Sequence, residues 1–183
     1  MRRTGTCLVI VAALAPIFSL AASAAQEPKN AINGILNLFP GYHVLTLAER
    51  DAETRAFVLR RFPKDDPSIV NADIDGDGNL DYALLLKDDK STHTKLVVLL
   101  CSRDNPCKKV FELDVTGYSG TAYLRPVSSG SKVPRTDGID ENAHSGPATV
   151  SATGIRVTYF EKGEVVYYWN EKHGKLEAVQ TKD

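Results

Sequence analysis

The apolar side chains between residues 28 and 39 recur at intervals of three and four. These positions are Ile32, Ile35, Leu36 and Phe39. The spacing places them on one face of an α-helix, and the Pro40-Gly41 pair that follows cannot continue it. The polar positions lack the basic face of a membrane-surface helix, so we expect this short helix to pack on the protein core.

A capping pattern predicts a second short helix. Thr46 is followed three residues later by Glu49, and in this arrangement each side chain can satisfy a backbone N–H of the first turn. We expect the helix to run to about Arg61, because Phe62-Pro63 then ends it. Its predicted buried stripe consists of Ala48, Ala52, Arg55, Ala56 and Leu59.

From residue 69 onward the helical spacing gives way to short apolar runs bounded by turn residues, a pattern typical of β-strands. The predicted strands are residues 69–72, 82–86, 95–101, 108–115, 155–160, 164–169 and 175–179, with a short extended run at 42–47 before them. The segment 117–149 is rich in Gly, Ser and Pro and is predicted as a long loop. These elements predict an α+β fold, with two short N-terminal helices packed on a mainly antiparallel sheet of six or seven strands.

The first 25 residues have the features of a secretory signal peptide. Arg2 and Arg3 precede an apolar run, and small residues suited to cleavage stand at 22–25. The run is too short and too rich in alanine for a membrane span, and no lipid-attachment pattern precedes Cys7. We therefore expect a periplasmic or secreted protein whose residues 26–183 form one domain.

The net charge limits the expected partners, and the cysteines predict a covalent cross-link. The formal net charge is −1 and there is no basic block, so nucleic acid is not expected as a partner. After signal removal the chain keeps Cys101 and Cys107, which in an oxidising compartment predict a disulfide that closes a hairpin. The spacing is wider than in a Cys-x-x-Cys centre, so redox chemistry is the lesser alternative.

The most distinctive stretch is an acidic loop between two predicted strands, residues 73–81. Its oxygen ligands would follow the order of a calcium loop, in which positions 1, 3, 5, 7 and 9 coordinate and glycine stands at 6. Those positions are Asp73, Asp75, Asp77, the carbonyl of Asn79, and Asp81, with Gly78 at position 6. Leu80 is then available to anchor the loop to the core.

Position 12 of this loop is Leu84 instead of Glu, and the flanks are strand-like, so a helix-loop-helix hand is not expected. A register beginning at Asn71 fits less well, because it places Tyr82 at position 12. A solvated turn without metal is the simpler alternative, since Asp and Gly dominate turns. Repulsion among four close carboxylates favours the cation.

The pattern Asp-x-Asp-Gly-Asp-Gly-x-x-Asp resembles the calcium loops of the FG-GAP and VCBS repeat families. The resemblance covers residues 68–86 and implies calcium held by the five ligands named above. Those families repeat the loop once per propeller blade, whereas this chain has one copy and no recurring period. We therefore expect a single calcium loop at one end of a smaller sheet.

Candidate binding residues are scattered along the chain. The long loop and the aromatic strand before the last turn offer Tyr118, Tyr123, Asp137, Asp140, His144, Tyr167 and Trp169. The four histidines lie far apart, and no zinc, nucleotide or hydrolase motif is present, so no enzyme is predicted. The neighbouring His144 and Ser145 do not by themselves make a catalytic pair.

Three functional hypotheses follow. The first is an exported, calcium-stabilised binding or structural domain that recognises an unknown protein or surface ligand. The second is a periplasmic inhibitor or immunity-type protein directed against a hydrolase. The third, least favoured by the absence of catalytic motifs, is a hydrolase that uses the metal of the acidic loop.

Overall fold

The computed structural model describes residues 27–103, 105–134 and 147–182 of the chain. The predicted signal peptide therefore lies outside the described residues. The helices are α1 (Glu27–Leu36) and α2 (Ala52–Arg61). The strands are β1 (Tyr42–Val44), β2 (Ile69–Ala72), β3 (Asp81–Asp88), β4 (Thr94–Leu100), β5 (Lys108–Asp114), β6 (Ala122–Val127), β7 (Lys132–Val133), β8 (Ala148–Thr149), β9 (Gly154–Tyr159), β10 (Gly163–Asn170) and β11 (Lys175–Lys182). Within these ranges no helix is long and apolar enough to cross a bilayer.

The strands form two main sheets and a small hairpin. Sheet A has five strands in the order β1-β3-β4-β5, and β2 pairs with the same strand β3 as β1 does. Sheet B has four strands in the order β11-β10-β9-β6, and β7 pairs with β8. Every pairing is antiparallel, which confirms the predicted mainly antiparallel architecture.

The prediction of one sheet of six or seven strands is wrong, and β6 explains the error. This strand falls inside segment 117–149, which the Gly, Ser and Pro content assigned to a loop. Its alternate residues Ala122 and Leu124 are buried in the core, whereas Pro126, further along the same face, is exposed. Proline is tolerated there because β6 is the outer strand of sheet B. Strand β6 is the fourth strand of a second sheet, which the amino-acid composition of this segment did not reveal.

The main core lies between the two sheets. Ala83, Leu85 and Val98 of sheet A pack in one cluster with Leu124 and Ile155 of sheet B. The opposite face of sheet A packs against α1, because Ile35 belongs to the same cluster as Leu84, Leu86, Val97 and Leu99. Both faces of β3 and β4 are thus covered, which accounts for their nearly continuous apolar sequences.

The region of the second predicted helix is divided differently from the prediction. The Thr46–Glu49 capping box forms, but it begins a 3-10 turn, Leu47–Glu49, and α2 starts only at Ala52. The predicted buried stripe is also wrong, since α2 buries Thr54 and Val58 while Leu59 is 52% exposed. The spacing of apolar residues does not predict the buried face of this helix, because its alanines do not mark a single apolar face.

The predicted disulfide is confirmed. Cys101 and Cys107 are bonded and connect the end of β4 to the start of β5. Both cysteines pack at the edge of the cluster that α1 covers. The bond therefore closes the turn of a hairpin at one end of sheet A, beside the acidic loop that connects β2 to β3.

Candidate metal site

The acidic loop is shaped by two glycines and by the Asp73 side chain. Gly76 and Gly78 have φ values of +86° and +83°, a region that favours glycine. Their N–H groups donate to the two carboxylate oxygens of Asp73, at 2.7 and 3.0 Å. The sequence thus folds locally into a tight loop around one carboxylate.

The predicted apolar anchor of the loop is wrong. Leu80 is 60% exposed, whereas Ile74 is completely buried in the core between the sheets. Ile74 is the second residue after β2, and Leu80 stands just before β3. The direction in which the loop leaves β2 therefore decides which of the two side chains reaches the core.

Asp81, the first residue of β3, is fully buried and has both oxygens engaged. It accepts hydrogen bonds from the N–H of Ile74 at 2.8 Å and from the N–H of Cys101 at 2.9 Å. Burial nevertheless raises the pKa of Asp81. The second contact joins the loop to the disulfide-bonded hairpin. The two residues are 20 positions apart and meet because β3 and β4 pair, so the sequence of the loop alone does not reveal this contact.

Three carboxylates converge at this point. Asp73, Asp75 and Asp81 each place an oxygen so that all three ligand atoms lie within 4.8 Å of one another. Burial, more than the neighbouring Asp77 and Asp73 charges, raises the pKa of Asp75. Within the part of the chain that the structure describes, this is the single group of three His, Cys, Asp or Glu side chains with metal-binding geometry. The cluster could hold a cation.

The other two predicted ligands lie outside this cluster. The Asp77 carboxylate accepts hydrogen bonds from the backbone N–H of Asn79 at 2.7 Å and from its side-chain amide at 2.8 Å. These contacts lower the pKa of Asp77. The metal-ligand roles of Asp77 and of the Asn79 carbonyl stay predictions.

A cavity of about 460 Å³ adjoins the loop. Asp75 and Asp77 line one side, and the disulfide-bonded turn lines the other with Cys101, Asn105 and Lys108. The lining therefore combines carboxylates and a lysine with apolar groups. Because Asp75 belongs to both, the candidate cation site borders this cavity.

The four predicted binding-surface residues that the structure describes do not form one surface. Tyr167 is buried between the sheets with its ring 5.0 Å from that of Phe111, and Tyr123 is buried beneath Phe57 and Phe62. Tyr118 is 44% exposed and stacks on Tyr159, and Trp169 is partly exposed on β10. Asp137, Asp140 and His144 lie outside the described residues.

The described histidines occupy three separate places. His43 contacts Glu49 and Asp89, His93 contacts Tyr42 and Asp114, and His173 contacts Glu177. The sequence analysis did not foresee these pairs, because each joins residues that only strand pairing or a turn brings together.

Comparison with protein-family models, with curated proteins and with solved structures finds no match to this chain. The resemblance of residues 68–86 to FG-GAP and VCBS loops therefore rests on the motif alone and stays a hypothesis. The geometry of the loop, with three carboxylates close together, is independent of that resemblance.

Proposed function

We propose that this protein is an exported binding or structural domain whose loop 73–81 binds calcium. Export is inferred from the signal-like features of residues 1–25. Calcium is inferred from the donor set, since it prefers carboxylate and carbonyl oxygens and tolerates irregular geometry. Magnesium fits less well because it requires near-ideal octahedral coordination.

The convergence of Asp73, Asp75 and Asp81 is the observation that carries this proposal. Three negative charges within 4.8 Å repel one another, and one of them has no exposure to solvent. A divalent cation would neutralise that repulsion, so its binding energy would add to the stability of the native state.

The surroundings of Asp81 favour a stabilising role for the ion. Asp81 links the loop to the N–H of Cys101 at the end of β4. Cation binding would therefore reinforce the contact between the β2–β3 loop and the β4–β5 hairpin. The ion would then affect a binding surface elsewhere on the domain indirectly, by stabilising the fold.

Thermal unfolding with calcium, with magnesium and with a chelator tests the proposal. Extracellular calcium modules bind with dissociation constants of about 0.1–1 mM. At tenfold excess over that constant, calcium should stabilise the protein by about 1.4 kcal/mol, a shift of several degrees. Magnesium should give a smaller shift. Equal melting temperatures in all three solutions would overturn the proposal.

Asp75→Asn is the sharpest variant, because the hydrogen bond that the Asp75 carboxylate accepts from the Asp77 N–H lies within the loop itself. In chelator we expect it to melt at or above the wild-type temperature, because it removes one of the repelling charges, and we expect it to lose the rise in calcium. Asp77→Ala tests a further predicted ligand in the same way, whereas Asp73→Ala also removes two hydrogen bonds of the loop and should lower the melting temperature in chelator as well. The matched control is Asp65→Asn, an exposed aspartate in the turn after α2, which should keep the full calcium response.

A further inference from the structure

The outer face of sheet B, which points away from sheet A, carries two arginines side by side. Arg125 on β6 and Arg156 on β9 are direct cross-strand partners. Their neighbours Leu124, Ile155 and Val157 point into the core, so both arginine side chains lie on the opposite face. Like charges in such a pair destabilise a sheet unless something neutralises them.

Within the described part of the chain, neither arginine makes a hydrogen bond through its Nε–H group, although Arg156 Nε lies at ion-pair distance from Glu164. The Nε atoms of Arg125 and Arg156 are buried and have no hydrogen-bond partner. Arg50 shows what a structural arginine in this fold looks like, since its guanidinium makes five hydrogen bonds to neighbouring oxygens. Buried donors without partners are rare in native proteins and indicate a missing partner or ion.

The surrounding charges leave an excess of positive charge. Among the described residues, Glu164 is the one carboxylate in an ion pair with the two arginines, 3.4 Å from Arg156 Nε. Its two oxygens already accept hydrogen bonds from the Thr158 and Thr181 hydroxyls. Arg125 has a ring as its neighbour instead, with its guanidinium carbon 4.0 Å from the centre of Phe62.

We propose that Arg125 and Arg156 form a binding site for an oxyanion, a phosphate or carboxylate group carried by a small ligand. Guanidinium forks bind such groups through paired N–H donors, and a stacked guanidinium is held ready for this contact. The Arg156 side chain is 35% exposed, so an anion can reach the pair from solvent. The site uses none of the loop carboxylates and is independent of the proposed calcium function.

Arginine Nε–Hε resonances give a direct test on the intact protein. Inorganic phosphate and acetate are titrated separately against sodium chloride at equal ionic strength. We expect the resonances of Arg125 and Arg156 to shift and saturate with at least one oxyanion, while that of Arg50 stays in place. The oxyanion that saturates first identifies the preferred group. Shifts no larger than those in chloride would overturn the proposal.

Variants locate the site and exclude a general charge effect. Arg125→Gln and Arg156→Gln should each weaken oxyanion affinity by about tenfold or more. Arg125→Lys keeps the charge but loses the fork, so it should also weaken binding. Arg103→Gln, on the exposed turn of the disulfide hairpin, is the matched control and should bind as the wild type does. Unchanged affinity in both Gln variants would contradict the assignment.

Discussion

At the scale of single residues, the acidic loop depends on one apolar side chain that the motif does not reveal. Ile74 stands between two candidate ligands and is completely buried, while Leu80 on the other arm of the loop is mostly exposed. The buried isoleucine fixes the position of the backbone from which Asp73 and Asp75 project. The loop is therefore held by the core as well as by its own hydrogen bonds.

We expect Ile74→Ala to lower the free energy of unfolding by about 2–5 kcal/mol, because it leaves a cavity between the sheets. Leu80→Ala removes a similar number of atoms at an exposed position and should change it by less than about 0.5 kcal/mol. Urea unfolding in chelator measures both variants without any contribution from a cation. Equal losses in the two variants would contradict the assigned anchor.

At the scale of elements, the Glu49 side chain connects strand β1, the 3-10 turn and strand β3. It accepts hydrogen bonds from Thr46 at the start of the 3-10 turn and from Lys87 on β3 at 2.8 Å. His43 on β1 lies 3.2 Å from Glu49 and 2.7 Å from Asp89. The short strand β1 is thus held to β3 by charged side chains as well as by its ladder.

The titration of Glu49 and His43 predicts a pH range in which this cluster stabilises the protein most. Partial burial would raise the pKa of Glu49, but hydrogen bonds from Lys87 and Thr46 outweigh it and lower the value to about 2. The hydrogen bond to Asp89 outweighs partial burial of His43 and raises its pKa above 6.5. The Glu49 contribution is full above pH 4.5 and declines toward pH 2, and the His43 contribution is full below pH 6.5 and declines as the pH rises.

We therefore expect the cluster to contribute most between pH 4.5 and pH 6.5. The difference in unfolding free energy between wild type and His43→Gln should be about 0.2–1 kcal/mol in that range and should shrink above it. Asp89→Asn in a double-mutant cycle isolates the His43–Asp89 pair. A difference that does not vary with pH would contradict the predicted titration.

At the scale of the whole molecule, Arg50 joins the two sheets. Its side chain is 3% exposed and donates to the carbonyls of Leu45 and Thr46, next to sheet A, and to that of Ala122 on sheet B. It also donates to Pro67 and to the Ser68 hydroxyl, just before β2. Burial lowers its pKa to about 10, so it stays charged at neutral pH.

We expect Arg50→Met to destabilise the protein by more than about 3 kcal/mol, because it removes the charged donor of five hydrogen bonds that join the two sheets. Arg60→Met, at an exposed position near the end of α2, is the matched control and should be nearly neutral. Chemical denaturation at pH 7 compares the two variants. Similar stabilities would show that the two sheets are held together by apolar packing alone.

Several features follow from short stretches of sequence. The glycine spacing of loop 73–81, the pairing of Cys101 with Cys107 and the antiparallel strands are local, since neighbouring residues supply both partners or both sides of a turn. The Thr46–Glu49 capping box forms for the same reason. Three of the predicted ligands, Asp73, Asp75 and Asp81, converge because a tight loop holds them together.

Other features were decided only by long-range packing. Strand β6 became part of a second sheet because β9 was available to pair with it, and that pairing also set Arg125 opposite Arg156. The burial of Ile74, Tyr123 and Tyr167 depends on which face each strand or loop turns toward the other sheet. Strand pairing and side-chain burial depend on residues far away in the sequence. The local sequence therefore determined which ligands the loop carries, and the tertiary structure determined which residues surround the loop.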